Sequence, residues 1–306
     1  MLKKHRAFQT TLMTQTQLIP DVITKFWAVL KEQGLNEVTF SAFRSIIKNH
    51  YKTRGRKYPF RDSSHYNDPY KVIVSEIMLQ QTQADRVVEK YLAFIKQFPD
   101  FKSLANASTE NVLKAWIGLG YNRRALALKE IAETVITRYQ GKLPASIEKL
   151  EEFPSIGSNT AASIATFAFN MAVPFIETNV RAVYLLFFFH GKENVKDTEI
   201  LDIVKKTLDR ENPREWYYAL MDYGVLLKKT GRDPTKKSTD RPKQKPFKGS
   251  TRQFRGNILK ALIQGPKMID DLASELCIDK NVVENVAARL VAEGFLVKEG
   301  SKYKIK

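Results

Sequence analysis

The chain has 306 residues and a formal charge of +17, from 50 Lys and Arg against 33 Asp and Glu. This length fits one large domain, or two with an appended module. The basic excess indicates a polyanionic partner, either nucleic acid or an acidic membrane surface. No segment has the roughly 18 uninterrupted apolar residues of a membrane span, and the polar start is unlike a secretory signal. We therefore expect a nucleic-acid partner and no membrane.

A single cysteine, Cys277, and four scattered histidines restrict the metal and redox chemistry. One cysteine can form neither an intramolecular disulfide nor a four-cysteine iron–sulfur cluster. The four histidines are far apart in sequence, so they could contribute to a metal site only by assembly at a distance. We expect no metal site among the functional residues and an intracellular setting, cytoplasmic or nucleoid-associated.

Helical periodicity runs through the first 230 residues. Residues 1–57 predict an N-terminal helical extension, with one helix beginning near Ile19 and another over 38–51. Beyond it, apolar residues recur at three- and four-residue intervals, and the predicted helices cover 70–82, 84–97, 109–116, 122–139, 146–152, 158–169, 177–189, 197–208 and 213–229. No sustained strand alternation occurs there, so we predict an all-α fold with a body over residues 58–228.

The last quarter of the chain changes character twice. Residues 229–252 are rich in Lys and Arg and interrupted by prolines, which predicts a basic linker. It is either a solvated tether or a tether that also touches phosphates. Residues 253–306 predict three helices and a hairpin with Gly300 in its turn, which is the winged-helix pattern. Such a module binds either DNA, through a helix in the major groove, or another protein.

The segment 74–83, VSEIMLQQTQ, places the carboxylate of Glu76 on an otherwise apolar first turn of a helix. The carboxylate is either a helix cap or a buried proton donor with a raised pKa. The polar residues Gln80, Gln81 and Thr82 follow on the same predicted helix. Amides of this kind can hydrogen-bond base edges in an opened duplex.

A second carboxylate, Glu177, follows an apolar stretch and precedes Asn179 and Arg181 at the start of another predicted helix. Two acidic residues that emerge from apolar surroundings suit the cleavage of a glycosidic bond. One can protonate the leaving group, and the other can stabilise an oxocarbenium-like sugar or position water.

Two glycine-containing turns complete the pattern. The segment 153–162 joins two helices through Ser155, Gly157 and Ser158. It either binds a phosphate with its backbone N–H groups or is a plain connection. The segment 116–125 places Tyr121 between Gly120 and the basic residues that follow. This tyrosine is either an intercalating wedge or a packed surface residue.

In order and spacing these four segments resemble the helix-hairpin-helix base-excision DNA glycosylases, and most closely the MutY-type adenine glycosylases. The resemblance covers roughly residues 40–230, and segment 75–83 is its most specific part. Segments 118–121 and 219–224 add to it. The resemblance implies a body of two helical subdomains, which would bind double-stranded DNA as a monomer.

The resemblance also implies roles for individual residues. Glu76 matches the family's general acid, and Glu177 occupies the place of its catalytic Asp. Arg61 matches an arginine near the base pocket. Gln81 and Tyr121 match residues that the family inserts into the duplex at the lesion, and the segment 153–157 matches the hairpin that grips the backbone. The other predicted DNA contacts are Gln80, Thr82, Arg123, Ser155, Gly157, Ser158, Asn179 and Arg181. A structural monovalent cation at the hairpin 153–157 is a further expectation.

Several residues depart from the family pattern. Glu177 is one methylene longer than the expected Asp, a displacement that can reduce the rate. Asn159, expected at the base pocket, stands where bifunctional relatives carry a lysine nucleophile, so a Schiff-base lyase step is not expected. Ser155 replaces the first glycine of the hairpin. The cluster cysteines and the 8-oxoguanine-reading domain of the family are absent from this sequence.

The sequence therefore predicts a monofunctional glycosylase that excises a mispaired base, in the first place adenine opposite guanine or 8-oxoguanine. One alternative is a glycosylase for thymine or uracil opposite guanine. Another is a non-catalytic protein that senses distorted DNA, an interpretation motivated by the replacement of Asp by Glu at position 177.

Overall fold

The computed structural model describes residues 21–231, 233–240 and 247–306. The helix start predicted near Ile19 lies outside these ranges. Helices α1 to α7 are residues 21–33, Glu37–Arg54, Ser63–Tyr66, Pro69–Leu79, Ala84–Gln97, Phe101–Ala105 and Thr109–Trp116. Helices α8 to α13 are Arg123–Tyr139, Ile147–Glu151, Ser158–Phe169, Thr178–Phe188, Asp197–Thr207 and Pro213–Lys229.

Most of the predicted helices are confirmed, usually within a residue or two at each end. Two short helices, α3 and α6, were not predicted, because four or five residues give only a weak helical period, although the equally short α9 was predicted. Capping explains several helix starts. The side chain of Asp68 accepts from Tyr70 N ahead of α4, and Ser146 accepts from Lys149 N ahead of α9.

Two compact units divide the chain: Met1–Lys57 with Ala165–Pro242, and Tyr58–Ile164 with Lys243–Lys306. Both are discontinuous, so their boundaries cut across the domains predicted from the sequence. The predicted boundary at residue 57 coincides with a change of unit, and helix α10 begins in one unit and ends in the other. The predicted division into domains stays a prediction.

The first unit has an aromatic core that includes the predicted N-terminal helices. The ring of Phe43 on α2 lies 5.1 Å from Phe187 and 4.9 Å from Phe188 on α11, and 5.8 Å from Trp216 on α13 (ring centroids). Phe26 on α1 packs edge-on against Phe187 at 5.0 Å. Residues 21–57 therefore pack into the same core as helices α11 and α13.

The first half of the predicted basic linker also belongs to this unit. A 3-10 helix spans Pro234–Lys237, and Thr235 within it is buried. The backbone pairs with Val195, which donates to Lys237 O at 3.0 Å and accepts from Thr239 N at 3.2 Å. A fully solvated tether is therefore wrong for residues 233–240, because a buried threonine and these backbone bonds fix them to the unit.

The second unit contains α3 to α9, the start of α10 and the C-terminal module. The module comprises α14 (Thr251–Leu262), β1 (Lys267–Met268), α15 (Ile269–Leu276), α16 (Lys280–Ala292), β2 (Leu296–Glu299) and β3 (Lys302–Ile305). The strands form an antiparallel sheet in the order β1-β3-β2, with Leu296 opposite Ile305 and Glu299 opposite Lys302. The predicted three helices and hairpin are present, whereas β1 was not predicted because two residues show no alternation. Its identification as a winged helix remains a prediction.

Candidate functional site

Glu76 is the eighth residue of α4, which begins at Pro69 and ends at Leu79. Its side chain is half-buried, and its neighbours Ser75 and Ile77 are buried. The prediction that Glu76 lies on the first turn of its helix is wrong, because Asp68 caps the helix and Pro69 starts it. The capping interpretation of Glu76 therefore does not apply, since a carboxylate stabilises the amino end of a helix and not its carboxyl end.

The carboxyl end of α4 is held by the buried guanidinium of Arg124 on α8. Its Nη1 lies 2.8 Å from Ile77 O and 3.1 Å from Met78 O, and it also donates to Gln80 O. Its Nη2 donates to Thr82 Oγ1 at 3.2 Å and to Gly120 O at 3.0 Å. Burial lowers the pKa of Arg124 to about 10, so the group remains a cation at neutral pH.

This one side chain joins the two turns that hold the predicted DNA-inserting residues. Gln81 has φ +53° and is exposed, and Tyr121 has φ +50° and is half-buried. The predicted helical continuation through Gln80 to Thr82 is wrong, because the last carbonyls of α4 bond to Arg124 instead of to further helix. Gly118 (φ +98°) and Gly120 (φ +73°) supply the left-handed conformations that the second turn needs.

Gln80, predicted to contact DNA, has a role inside the protein. Its amide Nε2 lies 3.0 Å from Ser155 O and 3.2 Å from Thr160 Oγ1. The turn after Glu76 is thereby tied to the hairpin that joins α9 and α10. These bonds occupy the amide nitrogen, and the contact of Gln80 with DNA stays a prediction.

The hairpin has a buried side and an exposed side. Phe153 and Ile156 are buried, whereas Ser155, Gly157 and the start of α10 are exposed. At the start of α10, Ala161 N donates to Gly157 O at 2.9 Å. A Cβ placed on Gly157 would meet no atom within 4 Å. The N–H groups of a first helical turn have no partner within the helix, so this exposed end suits an anion.

The structure does not test the roles predicted for Ser158, Asn159 and Arg61. Ser158 and Asn159 are exposed on the first turn of α10. For the expected monovalent cation, two turn carbonyls already accept bonds: Phe153 O from Ile156 N, and Ser155 O from Gln80. Arg61 ends a 3-10 helix and lies over the Tyr58 ring at 5.4 Å, and its place near a base pocket stays a prediction.

Glu177, in the first unit, is the N-cap of α11. One carboxylate oxygen accepts from Asn179 N at 2.8 Å and Val180 N at 2.9 Å, and the other from Asn179 Nδ2 at 3.1 Å. Asn179 Oδ1 in turn accepts from Lys228 Nζ at 2.8 Å. The predicted residues Glu177 and Asn179 therefore form one network, with Lys228 as a third member.

A close approach of two helices fixes this network. A Cβ on Gly224 of α13 would lie 2.5 Å from Asn179 O and 2.6 Å from Asn179 Cβ. Only glycine allows α13 to pass so near the start of α11. Two residues earlier, the buried carboxylate of Asp222 accepts from Arg56 N at 2.6 Å and from Arg56 Nε at 2.7 Å. The segment 219–224 thus serves the geometry around Glu177.

Arg181 does not have the exposure that its predicted DNA contact needs. The residue is buried, and its guanidinium forms a paired salt bridge with Asp197, Nε lying 2.8 Å from Oδ1. An ion pair of this kind fastens α11 to the start of α12. The residue faces inward because the helix begins at Thr178, which turns the fourth helical position toward the unit's core.

Tyr121 and Arg123 contact the C-terminal module within the second unit. Arg252 donates from Nη1 to the Tyr121 hydroxyl, and Arg123 Nη2 lies 2.9 Å from Glu293 Oε2. Glu293 also takes Nη1 and Nη2 of Arg255 at 2.8 and 2.7 Å. Hydrogen bonds from Arg255 are the largest cause of the lowered pKa of Glu293.

Three residues to which the sequence assigned no role of their own position the predicted site residues. Arg124, Lys228 and Gly224 each act on a neighbour of a predicted residue. The sequence contains a partial signal for Arg124. Of the two adjacent arginines at the start of α8, Arg124 falls on the apolar face of the helix, where a charged residue interrupts the hydrophobic pattern. No local signal identifies Lys228, because its partner lies 49 positions away.

Across residues 21–231, 233–240 and 247–306, no group of three or more His, Cys, Asp or Glu side chains could hold a metal ion. In the same residues, none of the helices has the length and apolar character to cross a membrane.

Comparison with known proteins gives this geometry a family context. Residues 74–206 match the model of the HhH-GPD superfamily of base excision DNA repair proteins. The adenine DNA glycosylase of Mycobacterium tuberculosis (strain CDC 1551 / Oshkosh) is 35% identical over 181 residues, covering 58% of this chain and 59% of that protein. That of Buchnera aphidicola subsp. Baizongia pistaciae (strain Bp) is 32% identical over 195 residues, covering 62% of this chain and 54% of that protein.

A solved structure supports the fold. The structure of a thermostable thymine-DNA glycosylase superposes with a TM-score of 0.55 at 24% identity, covering 61% of this chain and 86% of that one. The chain spans little more than half the length of the two curated relatives. Residues 74–206 are therefore similar to the HhH-GPD superfamily of base excision DNA repair proteins, and the chain is similar in sequence to adenine DNA glycosylases.

Proposed function

We propose that this protein is a monofunctional DNA glycosylase that hydrolyses the N-glycosidic bond of a mispaired adenine. The observation that carries the proposal is the placement of Glu76. It lies half-buried on the helix whose end Arg124 and Gln80 tie to both glycine-containing turns. The homologues at 32% and 35% identity are adenine DNA glycosylases, which favours adenine as the base.

The proposed reaction begins with binding to duplex DNA. The basic chain supplies salt-dependent affinity for phosphates. The exposed start of α10, with Ser155 and Gly157, accepts a backbone phosphate. Extruding a base costs a few kcal/mol, which a mispair reduces. Gln81, exposed on its left-handed turn, is placed to enter the vacated position.

The chemical step needs an acid and a stabiliser of positive charge. Glu76 donates a proton to the leaving adenine, whose departure breaks the C1′–N bond. Glu177, fixed by three hydrogen bonds, supplies the negative charge that faces the developing oxocarbenium ion. Water then adds to C1′ and releases one proton to the solvent, and the products are free adenine and an abasic site. Asn159 offers no amine, so no Schiff-base step follows.

An iron–sulfur cluster does not fit the residues present. The single cysteine, Cys277, is exposed and ends α15 in the C-terminal module, so four thiolates cannot be assembled from this chain. No step of the proposed reaction uses a metal.

The test is a panel of duplexes, each with one mispair, scored for alkali-labile breaks after single-turnover incubation. The panel holds adenine opposite guanine, adenine opposite 8-oxoguanine, and thymine or uracil opposite guanine. We expect breaks at adenine, and Glu76→Gln should lower the rate by about 10²- to 10⁴-fold while DNA binding persists. Glu89→Gln, on the exposed side of α5, is the matched control and should cleave as the wild type does.

The other outcomes of the panel identify the rivals. Breaks confined to thymine or uracil would replace adenine as the substrate. Tight binding to every mispair with no base released would indicate a protein that senses distorted DNA. If Glu76→Gln cleaved at the wild-type rate, Glu76 would lose its role as the acid.

A further inference from the structure

A column of alternating aromatic rings and guanidiniums runs through the second unit. It starts at the buried Trp116, over which Arg124 lies with its Cζ 5.5 Å from the ring centroid. The same guanidinium lies 5.3 Å from the Tyr121 ring, and Arg252 lies 5.4 Å from that ring. Arg252 is also 6.0 Å from the ring of Phe247, where the column ends.

The two ends of the column differ in exposure. Trp116 is 0% exposed and donates its Nε1 proton to Gly120 O at 3.1 Å, whereas Phe247 is 61% exposed. A single exposed apolar side chain is common on protein surfaces, so the distinguishing feature of Phe247 is the Arg252 guanidinium beside its ring. Phe247 lies three residues before Ser250, the N-cap of α14.

The surroundings of the column are cationic. Arg123 and Arg255 share the single carboxylate of Glu293, so that cluster keeps a positive charge. Arg252 lies at the amino end of α14, where the helix dipole adds to it. Aromatic rings interleaved with arginines on a basic surface are the combination that binds unstacked nucleobases.

The helix expected to read the major groove is less suited to DNA. The charged residues of α16 are Lys280, Glu284 and Arg289, and Lys280 Nζ pairs with Asp270 Oδ1 at 2.7 Å. Asp279 caps the amino end of this helix through Asn281 N and Val282 N. That end therefore already holds a carboxylate where a phosphate would bind.

We propose that the C-terminal module contributes a nucleobase-stacking site, in which the exposed ring of Phe247, backed by Arg252 and Tyr121, receives a base that has left the duplex stack. The site rests on the proposed function, because extrusion of the target base towards Glu76 leaves the opposite base without a partner, and that opposite base is the one that Phe247 receives. It assigns the DNA contact of the module to the start of α14 rather than to α16. Tyr121 then supports the platform from behind.

The test measures binding of the full chain to two duplexes by fluorescence anisotropy. One carries a stable abasic-site analogue opposite guanine, and the other is fully paired and equally long. Phe247→Ala should weaken binding to the first about tenfold and leave the second within twofold. Phe247→Trp should restore the affinity, since it keeps a ring. Arg289→Ala, exposed on α16, is the matched control and should bind both duplexes as the wild type does.

Three results would overturn the proposal. Phe247→Ala could bind the abasic duplex like the wild type, or it could weaken both duplexes equally, as a loss of general contact would. Arg289→Ala could lose affinity while Phe247→Ala does not, which would assign the contact to α16. The binding readout does not require excision. A wild type that excises nothing yet shows the Phe247 difference would refute the proposed function alone.

Discussion

Glu76 and Glu177 are both presented by helix ends, but the two ends are built in opposite ways. Near Glu76 the carbonyls that end α4 bond to another residue, Arg124, so the carboxylate has no part in terminating its own helix. At α11 the carboxylate of Glu177 is itself the cap, bonded to Asn179 N and Val180 N. Removing a side chain that caps its own helix destabilises the start of that helix.

Because of this difference, Glu76 can serve the reaction without contributing to its helix end, whereas Glu177 serves both the reaction and the start of its helix. Substitutions of Glu76 should affect excision and leave the fold intact, because Arg124 keeps the helix end in place. Truncation of Glu177 to a side chain without an oxygen would remove a cap and a charge together. Two further residues support Glu177: Asn179 donates a hydrogen bond to its carboxylate, and Lys228 donates one to Asn179. Pairs of variants can separate the contribution of each supporting residue.

Arg124 gives the largest expected effect on stability. Arg124→Ala would leave the carbonyls of Ile77 and Met78 buried without this donor, and we expect a loss of about 3 kcal/mol in the free energy of unfolding. The measurement is a urea titration followed by circular dichroism. Arg123→Ala is the matched control, since its side chain is 70% exposed and should change stability by about 0.5 kcal/mol or less. Equal losses would show that α4 does not depend on the buried guanidinium.

Glu177→Gln separates the charge of Glu177 from its role as a helix cap. An amide oxygen can still accept from Asn179 N, but the negative charge is gone, so we expect single-turnover excision to fall on the order of a hundredfold. Glu177→Asp keeps both the charge and the cap and should stay much nearer the wild-type rate. If the Gln variant excised as fast as the wild type, the charge of Glu177 would have no part in the reaction.

Gly224 supports Glu177 through Asn179 and should give an intermediate effect. Gly224→Ala places a Cβ 2.5 Å from Asn179 O, and overpacking of this kind costs about 2 kcal/mol. Gly256→Ala, in α14, is the control: its Cβ would meet nothing within 4 Å, and the change should stabilise by roughly 0.5–1 kcal/mol. Thermal unfolding of both variants checks the opposite signs.

The sequence predicted the helices much better than the distant side chains that hold the helix ends and turns in place. Helices of eleven or more residues show their period, and the segments around Glu76, Tyr121 and Glu177 stand out by composition. The end of α4 was misplaced because its termination depends on Arg124, which lies 45 or more positions away. Arg181 was assigned to DNA because its partner Asp197 belongs to another helix, and pairing between helices leaves no local signal.

Ser155 offers the smallest effect and tests the hairpin that Gln80 ties to α4. The residue has φ +63°, in the left-handed region that disfavours a side chain, and its carbonyl accepts from Gln80. Ser155→Gly should therefore stabilise the protein by about 1 kcal/mol in thermal unfolding without moving the carbonyl. Gly157→Ala is the counterpart: its backbone has no left-handed conformation and its surroundings are open, so stability should change little while binding to duplex DNA weakens. Destabilisation by Ser155→Gly would mean that the hydroxyl, rather than the backbone, holds the hairpin in shape.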